Sequence, residues 1–297
     1  MLAKDASGPG KSVIGVPLGD PRIELGVILE SPSVIRTNSP TGVVSLRAGT
    51  AGRPLFCMPG IAGSTAFAFR PLVAKMHTRR TILAVDLNPG ALSIEGMAAV
   101  IVKLMREVQS SGPYAILGHS FGGNIAVEVA RQLIANDQTV ELVAVIDSYV
   151  PSFVPKGLSK AVMHLRIIAK LTLREIYAYV SSRVQRKLFP RLPKAENGRI
   201  AEISNERIRL LKERIRLLDA HRPQVFPGRI VLVRATDILS PGGIRIADPS
   251  GTNGWSCICK GGVDVIPMAC AHADFFNEPY TTALAGHVDA LLDAIDR

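Results

Sequence analysis

Short apolar runs alternate along the chain with longer segments in which apolar residues recur at helical spacing. The short runs are four to eight residues long and rich in β-branched residues, so they predict strands. In chain order they read VVSL, PLFCM, TILAVDL, YAILG, VELVAVID, RIVLVRA and VDVIPM. Segments of helical period include residues 94–109, 122–134 and 281–295. The alternation predicts an α/β fold, with a mostly parallel central sheet and helices on both faces.

The stretch between the fifth and sixth predicted strands interrupts this alternation. It contains no apolar run of strand type, but Ile208, Leu211, Ile215 and Leu218 recur at helical spacing. A second helical stretch is predicted over roughly residues 160–187. The pattern therefore predicts a helical insertion packed over the sheet.

The domain organisation follows from these segments. Residues 42–297 are predicted to form one α/β domain, with the insertion at about residues 151–225. Residues 1–41 are rich in Gly, Pro and Ser, and we interpret them as an N-terminal tail or linker.

The charge of the chain is concentrated in the insertion. The whole chain has a net charge of +10, whereas residues 151–224 hold 17 Lys and Arg against 6 Asp and Glu, a net +11. Such a block suggests an anionic partner: nucleic acid, a membrane surface or an acidic protein. Nucleic acid is disfavoured, because the block lacks interleaved aromatic residues and any known nucleic-acid-binding module.

Hydropathy argues against membrane insertion and export. No apolar run approaches the roughly 20 residues that a spanning helix needs, and residues 1–20 lack the continuous apolar core of a secretory signal. The chain has four cysteines, too few for a disulfide framework. We therefore expect a cytoplasmic protein with free thiols and no stable membrane insertion.

The fourth predicted strand runs into a candidate nucleophile. It ends in GHSFGG, in which Gly118, Ser120 and Gly122 form a Gly-x-Ser-x-Gly motif, and a helical segment follows at once. Strand, motif and helix in this order are typical of a nucleophile elbow. The glycines permit a sharp turn, and the helix amino terminus points backbone N–H groups at the serine, where an oxyanion would form.

A serine nucleophile needs a base that is oriented by a carboxylate. In an α/β-hydrolase the chain order is Ser, then Asp or Glu, then His. His272 lies just after the last predicted strand, where catalytic loops gather, so it is the predicted base. Two residues remain open as the acid, because Asp147 and Asp237 each end a later strand and both positions can reach this edge of the sheet.

A zinc site is the competing interpretation of the cysteines near His272. Cys257, Cys259, Cys270 and His272 offer three thiols and an imidazole. Their spacing matches none of the usual paired zinc knuckles, and alternating cysteines in a short strand are more often small apolar residues. We therefore predict no metal.

Five segments together resemble the α/β-hydrolase thioesterases that terminate non-ribosomal peptide, polyketide and fatty-acid synthesis. In order they are LFCMPGIAG, GPYAILGHSFGGNIAVEVARQL, VELVAVIDSYVP, FPGRIVLVRATD and GTNGWSCICKGGVDVIPMACAHADFF. The resemblance runs over roughly residues 43–297. Three features are more specific for this family than the serine motif alone. They are the helix ending in ARQL, the Asp-Ser pair and the Gly-Trp pair before the histidine.

The resemblance implies roles for particular residues. Ser120 becomes the acylated nucleophile, His272 the base and Asp147 the acid, as in integrated thioesterase domains; stand-alone editing members place the acid where Asp237 lies. The resemblance also implies an oxyanion hole made by the backbone N–H of Phe121 and that of Gly60 or Ile61. The insertion becomes a lid over the acyl channel.

The same resemblance implies a substrate and a partner. The expected reaction releases an acyl, peptidyl or polyketide chain, by hydrolysis or cyclisation, from the 4'-phosphopantetheine of an acidic carrier protein or synthase, with no cofactor bound to this chain. Two alternatives stay open. One is a carboxylesterase or lipase-like enzyme that uses the same residues on oxygen esters, and the other is a non-catalytic binding protein of the hydrolase fold.

Overall fold

The backbone forms one sheet that matches the predicted strands. A computed structural model of the chain describes residues 42–61, 65–87, 90–153, 198–237 and 250–297, with the backbone alone for residues 65–66 and 198–208. The strands of this part are β1 (Val43–Arg47), β2 (Leu55–Met58), β3 (Ile82–Val85), β4 (Tyr114–His119), β5 (Val140–Ile146), β6 (Ile230–Ala235) and β7 (Val263–Met268). Only β1 is antiparallel to its neighbour, so the prediction of a mostly parallel sheet is confirmed.

The order of the strands locates a natural binding crevice. The sheet runs β1-β3-β2-β4-β5-β6-β7, so the chain leaves β2 toward one side to form β3 and then crosses back to form β4 on the other side. The loops after β2 and β4 therefore lead in opposite directions. In parallel sheets the crevice at such a switch point, outside the carboxyl ends of the strands, is where ligands bind.

Helices cover both faces, as predicted. The described helices are α1 (Thr65–Ala68), α2 (Arg70–Lys75), α3 (Ile94–Val108), α4 (Phe121–Ala135), α5 (Gly198–Ala220) and α6 (Tyr280–Ile295). Three of them lie within two residues of the segments predicted from periodicity. The short α1 and α2 were not predicted, although Pro71 in the first turn of α2 is a typical helix-start residue.

The strands alternate their side chains between two apolar clusters. In β5, Val143 and Val145 join the cluster that includes residues of α3 and α4, whereas Leu142, Ala144 and Ile146 join the cluster that includes residues of α2 and α6. Both faces of the strand are therefore buried, as a continuous apolar run in a parallel sheet predicts.

The predicted helix near residue 211 in the insertion is confirmed as α5. Its predicted apolar face is only partly correct, because Ile215 is 44% exposed whereas Leu217 and Leu218 pack against the core. The 3-4-3 spacing shows that a helix is present but not which of its residues meet the body of the domain. The predictions for residues 1–41 and 160–187 lie outside the described residues.

The described helices do not include one suited to a bilayer: none combines the length and the hydropathy needed to cross a membrane.

A buried arginine ties three distant segments together at the opposite edge of the sheet from the crevice. Arg80 is 2% exposed, and its Nη1 atom lies 2.7 Å from Glu141 Oε1 while Nη2 lies 2.5 Å from Asp296 Oδ1. These contacts join the start of β3 to β5 and to the end of α6. Removing one member of a buried pair is costly, because the remaining charge is left without a partner.

We expect Arg80→Met to lower the free energy of unfolding by about 3 kcal/mol, because it leaves the mostly buried Glu141 carboxylate unpaired. Urea denaturation measures the loss. Arg79→Met is the matched control: Arg79 is exposed, so the same change of charge there should stay within about 0.5 kcal/mol. Equal effects at the two positions would contradict a specific role for the ion pair.

Candidate functional site

Ser120 occupies a sharp turn between a strand and a helix. Strand β4 ends at His119 and α4 begins at Phe121. Ser120 has φ 52° and ψ −115°, a conformation rare for a residue with a side chain. Its backbone N–H donates to the carbonyl of Ile146 at 2.8 Å. The surrounding structure holds the serine in a strained conformation, a feature that clusters at functional sites.

The flanking glycines are required by close backbone contacts. A β-carbon on Gly118 would lie 2.4 Å from the carbonyl oxygen of Gly122, and one on Gly122 would lie 2.1 Å from that of Met58. Real β-carbons do not approach oxygen atoms so closely. The first turn of α4 therefore lies directly against the end of β2, which pairs with β4 through Met58 and Gly118.

The predicted oxyanion residues share this edge. Gly60 and Ile61 follow β2 across the switch point, and Phe121 opens α4, whose first N–H groups have no partner within the helix. A β-carbon on Gly60 would lie 2.9 Å from Nδ1 of His119, so the loop after β2 packs against the residue before the serine.

His272 and Asp147 form a close pair. Asp147 follows β5 directly and is 5% exposed, and its Oδ2 atom lies 2.7 Å from Nδ1 of His272. Its other oxygen, Oδ1, accepts a hydrogen bond from the backbone N–H of Ala235 at 3.0 Å. Since a carboxylate only accepts, we assign the imidazole proton to Nδ1, which leaves Nε2 as an acceptor.

The second candidate acid has different surroundings. Asp237 is exposed after β6, and its backbone N–H donates to the carbonyl of Cys270 at 3.0 Å. The His272 ring makes its 2.7 Å contact with the carboxylate of Asp147.

A histidine that sequence reasoning left without a role packs behind His272. The rings of His119 and His272 are stacked, with centroids 5.4 Å apart and planes 20° apart, and the edge of Phe276 meets His119. Burial, aided by the nearby charge of His272, lowers the pKa of His119 to about 3. The ring is therefore neutral at pH 7. Its place inside the serine motif is the sequence signal that could have identified it.

Ser148, the residue after Asp147, is held by donors from two distant segments. The carbonyl oxygen of Ser148 accepts from Nδ2 of Asn253 and from Nε1 of Trp255, each at 3.0 Å. Nδ2 of Asn124 in α4 donates to Ser148 Oγ at 3.2 Å. The Gly-Trp pair noted in the sequence therefore has a structural meaning, because it brings an indole N–H to the turn that carries Asp147.

The cysteines near His272 do not form a metal-ligand cluster with it. Among the residues that the structure describes, no group of three or more His, Cys, Asp or Glu side chains is arranged to hold a metal ion. Burial raises the pKa of Cys259 to about 12, and burial with nearby carboxylates raises that of Cys270 to about 12. Both side chains pack as small apolar residues, Cys259 in one apolar cluster of the core and Cys270 in the other.

A protein-family model matches most of the chain. The model of the thioesterase domain family matches residues 53–291, which is most of the chain and spans β2 to α6. The chain belongs to the thioesterase domain family. The resemblance seen in the sequence is thereby confirmed.

Related proteins of this thioesterase domain are large synthetases. The chain is 26% identical over 244 residues to malpinin synthetase of Mortierella alpina and 25% identical over 264 residues to a dimodular nonribosomal peptide synthase of Bacillus subtilis. The matches cover 79% and 84% of this chain. They span only 3% and 11% of those two proteins, so the thioesterase domain corresponds to a small part of each.

Solved structures confirm the α/β-hydrolase fold. The NocB thioesterase domain aligns with 84% of this chain and 99% of its own, at 19% identity and a TM-score of 0.59. The type II thioesterase BorB aligns with 86% of this chain and 98% of its own, at 21% identity and a TM-score of 0.58. A four-domain nonribosomal peptide synthetase aligns with 84% of this chain and 20% of its own, at 23% identity and a TM-score of 0.62.

The contact at Gly122 gives a test of the strand-helix geometry. We expect Gly122→Ala to lower the free energy of unfolding by at least about 2 kcal/mol, because the new methyl group overlaps the Met58 carbonyl and forces α4 away from β2. Chemical denaturation measures the change.

Gly286→Ala in α6 is the matched control. A β-carbon there meets no atom within 4 Å, and alanine is the better helix former, so we expect a gain of about 0.5 kcal/mol. A small, equal effect of both substitutions would mean that α4 and β2 do not approach each other as described.

Proposed function

We propose that this thioesterase domain releases an acyl, peptidyl or polyketide chain from the 4'-phosphopantetheine of a carrier protein through a Ser120-linked acyl-enzyme. The observation that carries the proposal is the 2.7 Å pairing of His272 with Asp147, at the strand edge where Ser120 occupies its strained turn. The synthetases and synthases among its relatives support the substrate class.

The first half-reaction is acyl transfer to the serine. Ser120 Oγ attacks the thioester carbonyl carbon, and Nε2 of His272 takes the hydroxyl proton, while Asp147 holds Nδ1–H and stabilises the imidazolium. The developing oxyanion accepts from the N–H of Phe121 and from that of Gly60 or Ile61. The carbon–sulfur bond then breaks, and His272 returns the proton to the departing pantetheine thiolate.

The second half-reaction resolves the acyl-enzyme. Water, or a nucleophile within the bound chain, attacks the ester carbonyl and gives its proton to His272, which passes it to Ser120 Oγ as the ester bond breaks. Water yields a free acid, and an internal hydroxyl or amine yields a lactone or lactam.

The neutral state of His119 supports this assignment. His272 gains a positive charge in each half-reaction, and a second cation stacked at 5.4 Å would oppose that gain. Because the pKa of His119 is depressed to about 3, its ring provides a rigid, uncharged support for His272 throughout the neutral range.

The insertion supplies the partner surface in this proposal. Its 17 basic and 6 acidic residues over positions 151–224 would attract an acidic carrier protein and speed its encounter with the site. Helix α5 supports a placement over the crevice, because Arg214 reaches the loop after β2 and donates to the carbonyl of Ile61 at 2.9 Å. We propose that residues of about 151–225 form the lid.

The nucleophile is tested by intact-mass analysis after incubation with acyl-loaded carrier proteins and with acyl-pantetheine thioesters. We expect a mass increase equal to the acyl group in the wild-type protein, and none in Ser120→Ala. An adduct that survives in Ser120→Ala would overturn the assignment of the nucleophile.

Matched oxygen esters extend the same experiment. If aryl esters acylate the wild-type protein as fast as thioesters and a carrier gives no advantage, the domain is a general esterase instead. A protein that forms no adduct with any donor would support the non-catalytic alternative.

The acid is tested by comparing Asp147→Asn with Asp237→Asn in steady-state turnover. We expect Asp147→Asn to lower kcat about 10,000-fold, since an asparagine cannot hold the same tautomer of His272 or stabilise its charge. Asp237→Asn should stay within about threefold of wild type, because the side chain is exposed. The reverse pattern would move the acid to Asp237, and two small losses would contradict both positions.

A further inference from the structure

One side chain of α5 reaches the loop that follows β2. Nη1 of Arg214 donates to the carbonyl oxygen of Ile61 at 2.9 Å, across 153 positions of sequence. Ile61 is partly buried and packs against the core cluster that includes α3 and α4. A residue of the insertion therefore bonds directly to the backbone beside Gly60, where the second oxyanion donor is proposed.

Helix α5 is anchored on both sides of Arg214. Before it, Glu213 Oε1 accepts from the backbone N–H of Gly90 at 3.1 Å. After it, Leu217 and Leu218 pack against the core, and Nδ1 of His221 lies 2.9 Å from Oε1 of Glu95. The guanidinium thus projects from a helix whose position is set by other contacts, and this suits it to locate a loop.

The electrostatics favour a firm hydrogen bond. Burial lowers the pKa of Arg214, and the negative charges of Glu213 and Asp86 oppose that shift, so the guanidinium stays charged at neutral pH. A hydrogen bond from a charged donor is shorter and about twice as strong as a neutral one. In this partly dry setting the bond to Ile61 resists exchange for water.

The loop needs such an anchor because of its composition. Gly60 has no side chain to pack, and glycine leaves the backbone free to rotate. An oxyanion donor must stay within about 0.5 Å of its place to be useful. The ring of His119 meets Gly60, and Arg214 fixes the carbonyl of Ile61, so contacts on either side of the Gly60–Ile61 peptide limit its rotation.

We propose that Arg214 is a positioning residue for acyl transfer: it fixes the Ile61 carbonyl and so links the insertion to the oxyanion hole. The proposal rests on the function proposed above. This positioning role is distinct from the proposed attraction of a carrier protein by surface charge. Arg214 would affect acyl transfer whether or not a carrier is present.

The test compares Arg214→Met with Arg106→Met. Both remove one positive charge, and Arg106 is an exposed residue in the last turn of α3, outside the insertion. With a small acyl-pantetheine thioester as substrate, we expect Arg214→Met to lower kcat at least about tenfold with KM within about twofold, because a misplaced donor weakens only the transition state. Arg106→Met should match wild type.

Two further measurements separate positioning from other roles. Phosphonylation by a fluorophosphonate reagent depends on the serine and the oxyanion hole but needs no thioester. We expect its rate in Arg214→Met to fall by the same factor as kcat. Hydrogen–deuterium exchange of a peptide covering residues 55–61 needs no turnover at all, and we expect exchange of the loop amides to quicken about tenfold in Arg214→Met.

The outcomes distinguish this inference from the function on which it rests. Equal kcat, phosphonylation and exchange in the two variants would overturn the role of Arg214 while the thioesterase function stands. A rise in KM alone would also overturn it, because it would make Arg214 a substrate-binding group. If the wild-type protein neither turns over nor reacts, the proposed function fails, and unchanged exchange in Arg214→Met would remove the positioning role as well.

Discussion

The packing of the first turn of α4 against the end of β2 is the contact on which the rest of the site depends. Gly122 has no β-carbon, so the helix can approach the Met58 carbonyl, and Gly118 allows the strand to pass beneath the same turn. With both glycines in place, the backbone at residue 120 has to reverse within one residue, which imposes φ 52° on Ser120. The strain at the serine is a consequence of this approach, and helix and strand packing together maintain it.

Asp147, like Ser120, has a backbone conformation that contacts with other segments maintain. Asp147 also has a positive φ, 43°, a region that aspartate tolerates better than most residues, and contacts with its neighbours hold it there. Its N–H donates to Val233 at 2.7 Å, and the next peptide is held by Asn253 and Trp255. Asn253 itself has φ 55°, a region that asparagine tolerates better than most residues. The residue that follows Asp147 is therefore held by a segment more than 100 positions away in the chain.

Local patterns were enough to predict the sheet, the helices α3, α4 and α6, and the strand-turn-helix around Ser120. Each of these depends on residues close in sequence, namely apolar runs, helical spacing and glycines at fixed offsets. The position of His272 followed from chain order. The contacts that sequence could not supply are long-range ones: the stacking of His119 on His272, and the donors that reach Ser148 and Ile61. No short pattern encodes which distant side chain will meet a given carbonyl.

The choice between Asp147 and Asp237 shows where local reasoning stops. Both residues follow apolar strands and both are aspartates, so nothing within a few positions separates them, and only the family resemblance favoured one. In the fold both strands are interior, β5 between β4 and β6 and β6 between β5 and β7, but β5 is the one that pairs with the strand leading to Ser120. The Asp147 carboxylate is buried against the end of β6 and the ring of His272, whereas Asp237 is exposed.

The insertion illustrates how one charged segment can act in two ways. Most of its basic residues in the described part of α5, such as Lys212 and Arg216, are exposed, and the attraction proposed for them toward an acidic partner is long-range and weakened by salt. Arg214 lies on the same helix but faces the body of the domain, where burial strengthens its charged hydrogen bond to the Ile61 carbonyl. The net charge of the segment describes the long-range attraction. It does not describe the hydrogen bond of Arg214, which depends on which residue of the helix faces the domain. The next residue, Ile215, is apolar but exposed. The orientation of α5 therefore places a cation, rather than an isoleucine, against the loop after β2. A rotation that buried Ile215 instead would gain apolar contact and lose the hydrogen bond between α5 and the loop after β2.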